Sequence, residues 1–181
     1  MKFGDRVLQR WRIAKAAPWI KRNGRLLDVG CADGAIFKQL AGQIAGGVGI
    51  DPDVPKPEQL ANGLLVPGVF PENLPDSQKF DAITMLAVLE HIPQAVQGKL
   101  ANDCFQYLNP GGRLIITVPS PFVDNILAVL KTLRIVDGMS LEEHYGFKPA
   151  DTRTIFEGAR LKLVTHRRFQ LGLNHLFVFE K

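Results

Sequence analysis

The chain has 181 residues, 46% hydrophobic and 22% charged, which suits one globular domain with a sizeable core. Its net charge of +4 is uneven: residues 1–25 hold eight Lys/Arg against one acid, residues 26–90 three against nine, and residues 91–181 eleven against eight. No apolar run is long enough to span a bilayer, and the opening "MKFGDRVLQRW" has no uninterrupted apolar core, which argues against a membrane span and an export signal. Cys31 and Cys104 are therefore expected to be reduced thiols, and the cytoplasm is the expected compartment.

The first element is a basic helix within residues 1–22. Val7, Leu8, Trp11 and Ala14 make an apolar stripe, with Arg6, Arg10 and Arg12 largely off it, so the arginines are expected on a solvated face rather than on nucleic acid. Residues 25–30 (RLLDVG) read as a buried strand, 34–42 as a helix, and 46–50 as a second strand ending at Asp51. A proline-rich loop leads to a short strand near 64–66, and 80–86 (FDAITML) is another apolar strand. Pro93 suits the first turn of a helix reaching Leu108, with Leu100, Cys104, Tyr107 and Leu108 at helical spacing. "NPGG" stops it, and 113–118 (RLIITV) is the next strand. A helix over 151–158 precedes strands at 161–169 and 174–180, whose linker "QLGLN" is too short for a crossover, so this pair is antiparallel. The alternation predicts a doubly wound α/β fold with a mostly parallel sheet, in a single domain over residues 1–181.

In such a sheet ligands bind where strands end and helices begin. The first of these turns is Gly30-Cys31-Ala32-Asp33-Gly34. A dinucleotide turn would carry a middle glycine where Ala32 stands, and Asp33 would repel a pyrophosphate, so a ligand with cationic groups fits better. A side chain at Gly30 is expected to fall in ligand space. Asp51, 21 residues after Gly30, ends the next strand, where a carboxylate takes two ribose hydroxyls. Asp28, inside the first strand, requires a partner such as a ligand ammonium. Individually, Asp33 would also serve as a helix cap and Asp51 as the start of the "DPD" turn. Together they favour a ligand site.

"LLDVGCADG", "VGIDPD", "FDAITMLAVLEHI" and "LNPGGRLIITVPSP", in this order, resemble the class I S-adenosylmethionine-dependent methyltransferases, in the small-molecule branch with a "LEHI"-type element. The resemblance is strong over about residues 24–120, and the closing antiparallel pair is similar to the end of that family's seven-stranded Rossmann-like sheet. It implies S-adenosylmethionine as cofactor, with Asp28, Gly30, Cys31, Ala32, Asp33 and Gly34 around its methionine part. Asp51 would take the ribose hydroxyls, Pro52 would lie beside the adenine, and Leu86 would complete the cofactor set. "GVFPENLP" departs from the family pattern by placing Phe70 at the adenine-binding Asp position and Pro71, which has no N–H, next to it. The adenine contact then shifts to the Glu72 backbone or Asn73, with Phe70 either packing on the ring or belonging to the core.

A sulfonium methyl is already activated, so its transfer needs positioning and desolvation more than acid–base groups. A base helps only where the acceptor loses a proton, as a hydroxyl does; His91 and His144 are the candidates, with the alternative that His91, beside Glu90 and before Pro93, only orders the helix start. Methylation of nucleobase or glutamine amines is disfavoured, since the resemblance would then require an Asn/Asp-Pro-Pro-aromatic run where "LAVLEH" stands. Carboxylates and histidines do not cluster at metal-ligand spacing, so no metal is expected. Residues 119–150 form a long connection expected to act as an acceptor-binding lid. Its Phe122, Ile126, Leu127, Val129, Leu130, Leu133 and Ile135 suggest an amphipathic helix that either covers a pocket or membrane surface or packs on the sheet as an extra core helix. Glu142, Glu143 and Tyr145 would solvate or close the lid. With the basic N-terminus this points to a small-molecule, saccharide or lipid-linked acceptor, methylated at oxygen or carbon, with a peripheral membrane contact as an extension. The alternatives are a non-catalytic protein that binds S-adenosylmethionine and, less favoured by the turn, a nicotinamide-dependent oxidoreductase.

Overall fold

The computed structural model describes residues 3–74, 78–120 and 148–181, and one sheet gathers every strand among these described residues. In chain order the elements are α1 (Phe3–Ala16), β1 (Arg25–Val29), α2 (Ala35–Gln39), β2 (Gly46–Asp51), β3 (Glu58–Leu60), β4 (Gly63–Pro67) and β5 (Phe80–Leu86). Then come α3 (Gln94–Tyr107), β6 (Leu108–Pro119), α4 (Asp151–Gly158), β7 (Lys162–Phe169) and β8 (Asn174–Glu180), with short 3-10 turns at Ala17–Trp19 and Leu89–His91. The strand order is β3-β4-β2-β1-β5-β6-β8-β7. The five central strands from β4 to β6 are parallel, β8 runs antiparallel between β6 and β7, and β3 pairs antiparallel with β4 at the far edge.

β3 makes the sheet eight-stranded. Its polar "EQL" has no apolar signature, and it exists because a tight hairpin brings Leu60 opposite Gly63. Two boundaries also move. Pro93 caps α3 in an extended conformation (ψ 135°) instead of lying inside its first turn. β6 begins at Leu108, and "NPGG" forms an irregularity between the Phe80–Leu108 and Ala82–Arg113 pairs.

Alternate strand residues feed opposite faces, as the period of two requires. On one face Leu27, Ile83, Met85, Leu114, Ile116, Phe177 and Phe179 pack under Leu100, Cys104 and Phe156 of α3 and α4. On the other, Leu26, Ala82, Ile115 and Val178 pack under Ile13, Ala16, Ile36 and Phe37 of α1 and α2.

α1 docks by a different face from the expected one. Trp11 and Val7 are 46% and 43% exposed, whereas Ile13 and Ala16 are buried and Ile20 extends their line beyond the helix. Ile13, Ala16 and Ile20 join the cluster that holds Leu26, Ala82 and Ile115 of the sheet, so this line and not the Val7–Trp11 stripe is the docked face. The rotation turns Arg12 inward, towards Glu90 and Asp5. Burial lowers the pKa of its guanidinium, and the two carboxylates oppose that shift.

Candidate functional site

The turn after β1 lies at the carboxyl edge of the sheet and is held by β2. The Gly30 N–H donates to the Ile50 carbonyl at 2.8 Å, and the Ala32 N–H donates to Asp51 Oδ2 at 2.9 Å. Asp51 Oδ1 accepts the Asp53 N–H at 2.8 Å, so the carboxylate both starts the "DPD" turn and fastens the ligand-edge turn. An ionised carboxylate offers roughly four lone-pair sites, so Asp51 retains capacity for two further donors such as ribose hydroxyls. Gly30, Ala32 and Gly34 have φ of 75°, 45° and 66°. Ala32 thus stands in left-handed backbone that favours the glycine its motif position lacks. A Cβ on Gly30 would lie 2.3 Å from Val88 Cγ2, so Val88 fills the space expected for ligand, and this glycine serves packing as well as backbone geometry.

Asp28 is buried, and the Thr84 hydroxyl donates to its Oδ1 at 2.6 Å. Burial pushes its carboxyl up to about 7; Asp51 adds to the rise and the Thr84 bond opposes it. A buried carboxyl poised near neutrality ionises when an ammonium arrives, so Asp28 fits the amino group of the methionine part of S-adenosylmethionine. Asp51, on the neighbouring strand end, fits the ribose. Cys31 is buried in the same turn, and burial, together with the Asp28 and Asp51 charges, raises its thiol far above the ordinary range. It is a neutral lining group. Asp33 is directed elsewhere: its Oδ1 accepts the Ala35 N–H at 3.3 Å and the Gln9 amide at 3.1 Å, capping α2 and tying it to α1. A groove of about 520 Å³ opens there, lined by Arg6, Arg10 and Lys38 as well as Asp33.

The adenine-side residues are mostly occupied by protein contacts. Pro52 is exposed. Phe70 is 7% exposed, and its ring meets Tyr107 edge-on at 5.2 Å, which makes it a core residue. Glu72 pairs with Lys99 of α3 at 3.2 Å. Asn73 Oδ1 accepts the Val69 N–H at 3.0 Å and closes the 69–73 turn. Leu86 ends β5 two residues after Thr84, half-buried and on the face of the sheet that carries Asp28.

His91 ends the 3-10 turn after β5; it is half-buried, and its backbone N–H donates to the Val88 carbonyl at 3.0 Å. Glu90 beside it is buried under α1. His144, Glu142, Glu143, Tyr145 and all of 121–147 in the expected lid lie outside the described residues. The sequence pattern gave no warning of Thr84, Val88 or the approach of Arg12 to Glu90. A lone threonine in the apolar run "FDAITML" was the available signal for Thr84.

A family model described as a methyltransferase domain matches residues 2–167. A ubiquinone biosynthesis O-methyltransferase of Nitrosococcus oceani is 29% identical over 143 residues, covering 72% of this chain and 60% of that protein. One from Pseudomonas fluorescens is 30% identical over 104 residues, covering 51% of this chain and 43% of that protein. The chain therefore spans less than two thirds of the length of these curated relatives. Among solved structures, a SAM-dependent methyltransferase from Archaeoglobus fulgidus superposes with a TM-score of 0.70 at 14% identity, covering 97% of this chain and 94% of that one. The N-methyltransferase NodS of Bradyrhizobium japonicum gives 0.66 at 16% identity, covering 98% of each chain. At such identities these structures speak for the fold alone.

Proposed function

The chain belongs to the methyltransferase domain family, and from that premise we propose that it uses S-adenosylmethionine to methylate an oxygen of a small-molecule acceptor. One observation carries the cofactor side: Asp28 and Asp51 stand at the ends of adjacent parallel strands, on either side of a turn whose residues 30, 32 and 34 all have positive φ. When bound, the cofactor supplies a methyl group already activated as a sulfonium. Asp28 holds the ammonium and ionises against it. Asp51 takes the ribose hydroxyls while keeping the Ala32 and Asp53 amides. Because the Ala32 N–H is already spent on Asp51, it is not available to a pyrophosphate, which weighs against a dinucleotide.

The choice of oxygen is supported by the O-methyltransferase relatives. A hydroxyl must give up its proton as the methyl arrives, and His91, half-buried just past the end of β5, is the residue to accept it. Calorimetric titration with S-adenosylmethionine and with NADH is the first test, and product formation with a panel of hydroxyl-bearing acceptors is the second. Tight S-adenosylmethionine binding is expected, with His91→Ala lowering kcat and leaving cofactor affinity unchanged. Preferential NADH binding would overturn the family-based reading, and full turnover by His91→Ala would remove His91 from the chemistry.

A further inference from the structure

The β7–β8 edge of the sheet holds a second polar group that the methyl-transfer reading does not use. β7 is an edge strand, and the start of α4 lies beside it. Between them is a cavity of about 330 Å³ whose lining includes Arg153, Leu163, His166, Arg168, His175 and Phe177. In the β7–β8 register His166 stands opposite Phe177 and Arg168 opposite His175, so the strand period brings all four to one face.

The two imidazoles are joined. His166 Nε2 and His175 Nδ1 are 2.8 Å apart, with ring centroids 5.1 Å apart and planes within 12°. A short N···N contact at that centroid spacing describes two rings end to end in nearly one plane, not two stacked faces. Phe177 lies flat against His166, with centroids at 4.1 Å and planes 5° apart. The bond needs one nitrogen to donate and the other to accept. It survives protonation of one imidazole but not of both, because two N–H groups would then face each other.

The surrounding charge is predominantly positive. Arg168 comes from β7 and forms no ion pair with a described residue. Arg153 comes from α4, where Glu157 pairs with it at 3.0 Å and Asp151 opens the first turn. β8 contributes His175, which is 7% exposed. Burial, then His166 and Arg168, holds His175 down to about 4, and burial with Arg168 also lowers His166. The free protein thus keeps a neutral pair among cations. Glu157 and Asp151 stand outside the cavity, and none of its lining residues carries a negative charge.

We propose that this cavity binds a small organic anion, its carboxylate or phosphate oxygens held between the His166–His175 pair and the guanidinium groups of Arg153 and Arg168. Leu163 and Phe177 supply an apolar wall for the rest of the ligand. A bound anion favours the protonated pair, so binding takes up a proton and strengthens as pH falls. The site lies beyond β5 and β6 from the Asp28–Asp51 turn, so it stands or falls independently of methyl transfer.

The test follows the imidazole carbon-bound proton signals by NMR while the full chain is titrated with sodium sulfate, whose charge is fixed, and separately with sodium benzoate. Either anion is expected to raise the His175 midpoint by about two units, which makes binding roughly fourfold tighter near pH 5.5 than near pH 8. Arg153→Gln with Arg168→Gln, both at exposed positions, should weaken binding roughly tenfold or more while leaving the fold intact. Stronger binding of benzoate assigns the site to carboxylates, and stronger binding of sulfate to phosphate-like groups. Imidazole signals unmoved by either salt at tens of millimolar, affinity independent of pH, or wild-type affinity in the double variant would overturn the proposal.

Discussion

The carboxyl end of the central β1–β2 pair and the β7–β8 end of the sheet obey the same electrostatics with opposite sign. At the first a buried carboxyl, Asp28, is pushed up to about 7; at the second a buried imidazole, His175, is held down to about 4. In each case burial penalises the charged form, and a like charge nearby (Asp51 for one, Arg168 for the other) adds to the shift. Each group is primed to ionise against an incoming ligand of opposite charge. The ends differ in how they are fastened. Asp28 is anchored by Thr84 within parallel strands, and its turn is tied down by the second carboxylate, whereas the histidine pair sits on an edge hairpin with its arginines in solvent. A rigid acidic end suits precise placement of a cationic cofactor. An open cationic edge suits capture of a small anion.

The largest effect tests the acidic end directly. Asp51→Ala should weaken S-adenosylmethionine binding by about 2–3 kcal/mol, since a carboxylate accepting from two hydroxyls is lost. The same substitution frees the Ala32 and Asp53 amides, so the melting temperature should fall as well. Calorimetry with thermal unfolding reads both. An unchanged dissociation constant would place the ribose elsewhere.

A smaller effect contrasts the two ends through pH. Between about pH 4 and 7 native Asp28 keeps a proton that the unfolded chain releases, so its contribution makes stability fall as pH rises. Between about pH 6.5 and 4 native His175 refuses a proton that the unfolded chain takes, so its contribution is lost as pH falls. The slopes oppose each other, each at most about 1.4 kcal/mol per pH unit. Asp28→Asn should therefore leave a stability that climbs with pH across this window, and His175→Phe one that declines. Denaturant midpoints measured across the window decide the matter, and parallel profiles for the two variants would break the comparison.

The smallest effect concerns strain confined to the acidic end. Ala32 holds φ 45°, so Ala32→Gly should stabilise the protein by about 1 kcal/mol, seen as a higher melting temperature with cofactor affinity retained. A lower melting temperature would mean that the turn gains more from a stiffer unfolded chain than it loses to left-handed backbone.

The strands β1, β2, β5 and β6, the antiparallel closing pair, the Gly30–Gly34 turn and the position of Asp51 at the end of β2 were all legible in the amino-acid sequence. They rest on local rules: a period of two along strands, glycine where φ turns positive, and a short linker that forces a hairpin. Only the tertiary structure decided which partner each side chain meets. It turned α1 so that Arg12 approaches Glu90, placed Phe70 against Tyr107, directed Asp33 to the α2 cap and Glu72 to Lys99, and filled the space over Gly30 with Val88. It also joined His166 to His175, nine residues apart along the chain and 2.8 Å apart across the hairpin. Such meetings depend on strand register and on which apolar face wins the contest for the core. Both are settled by packing among segments distant in sequence, so no local window contains them.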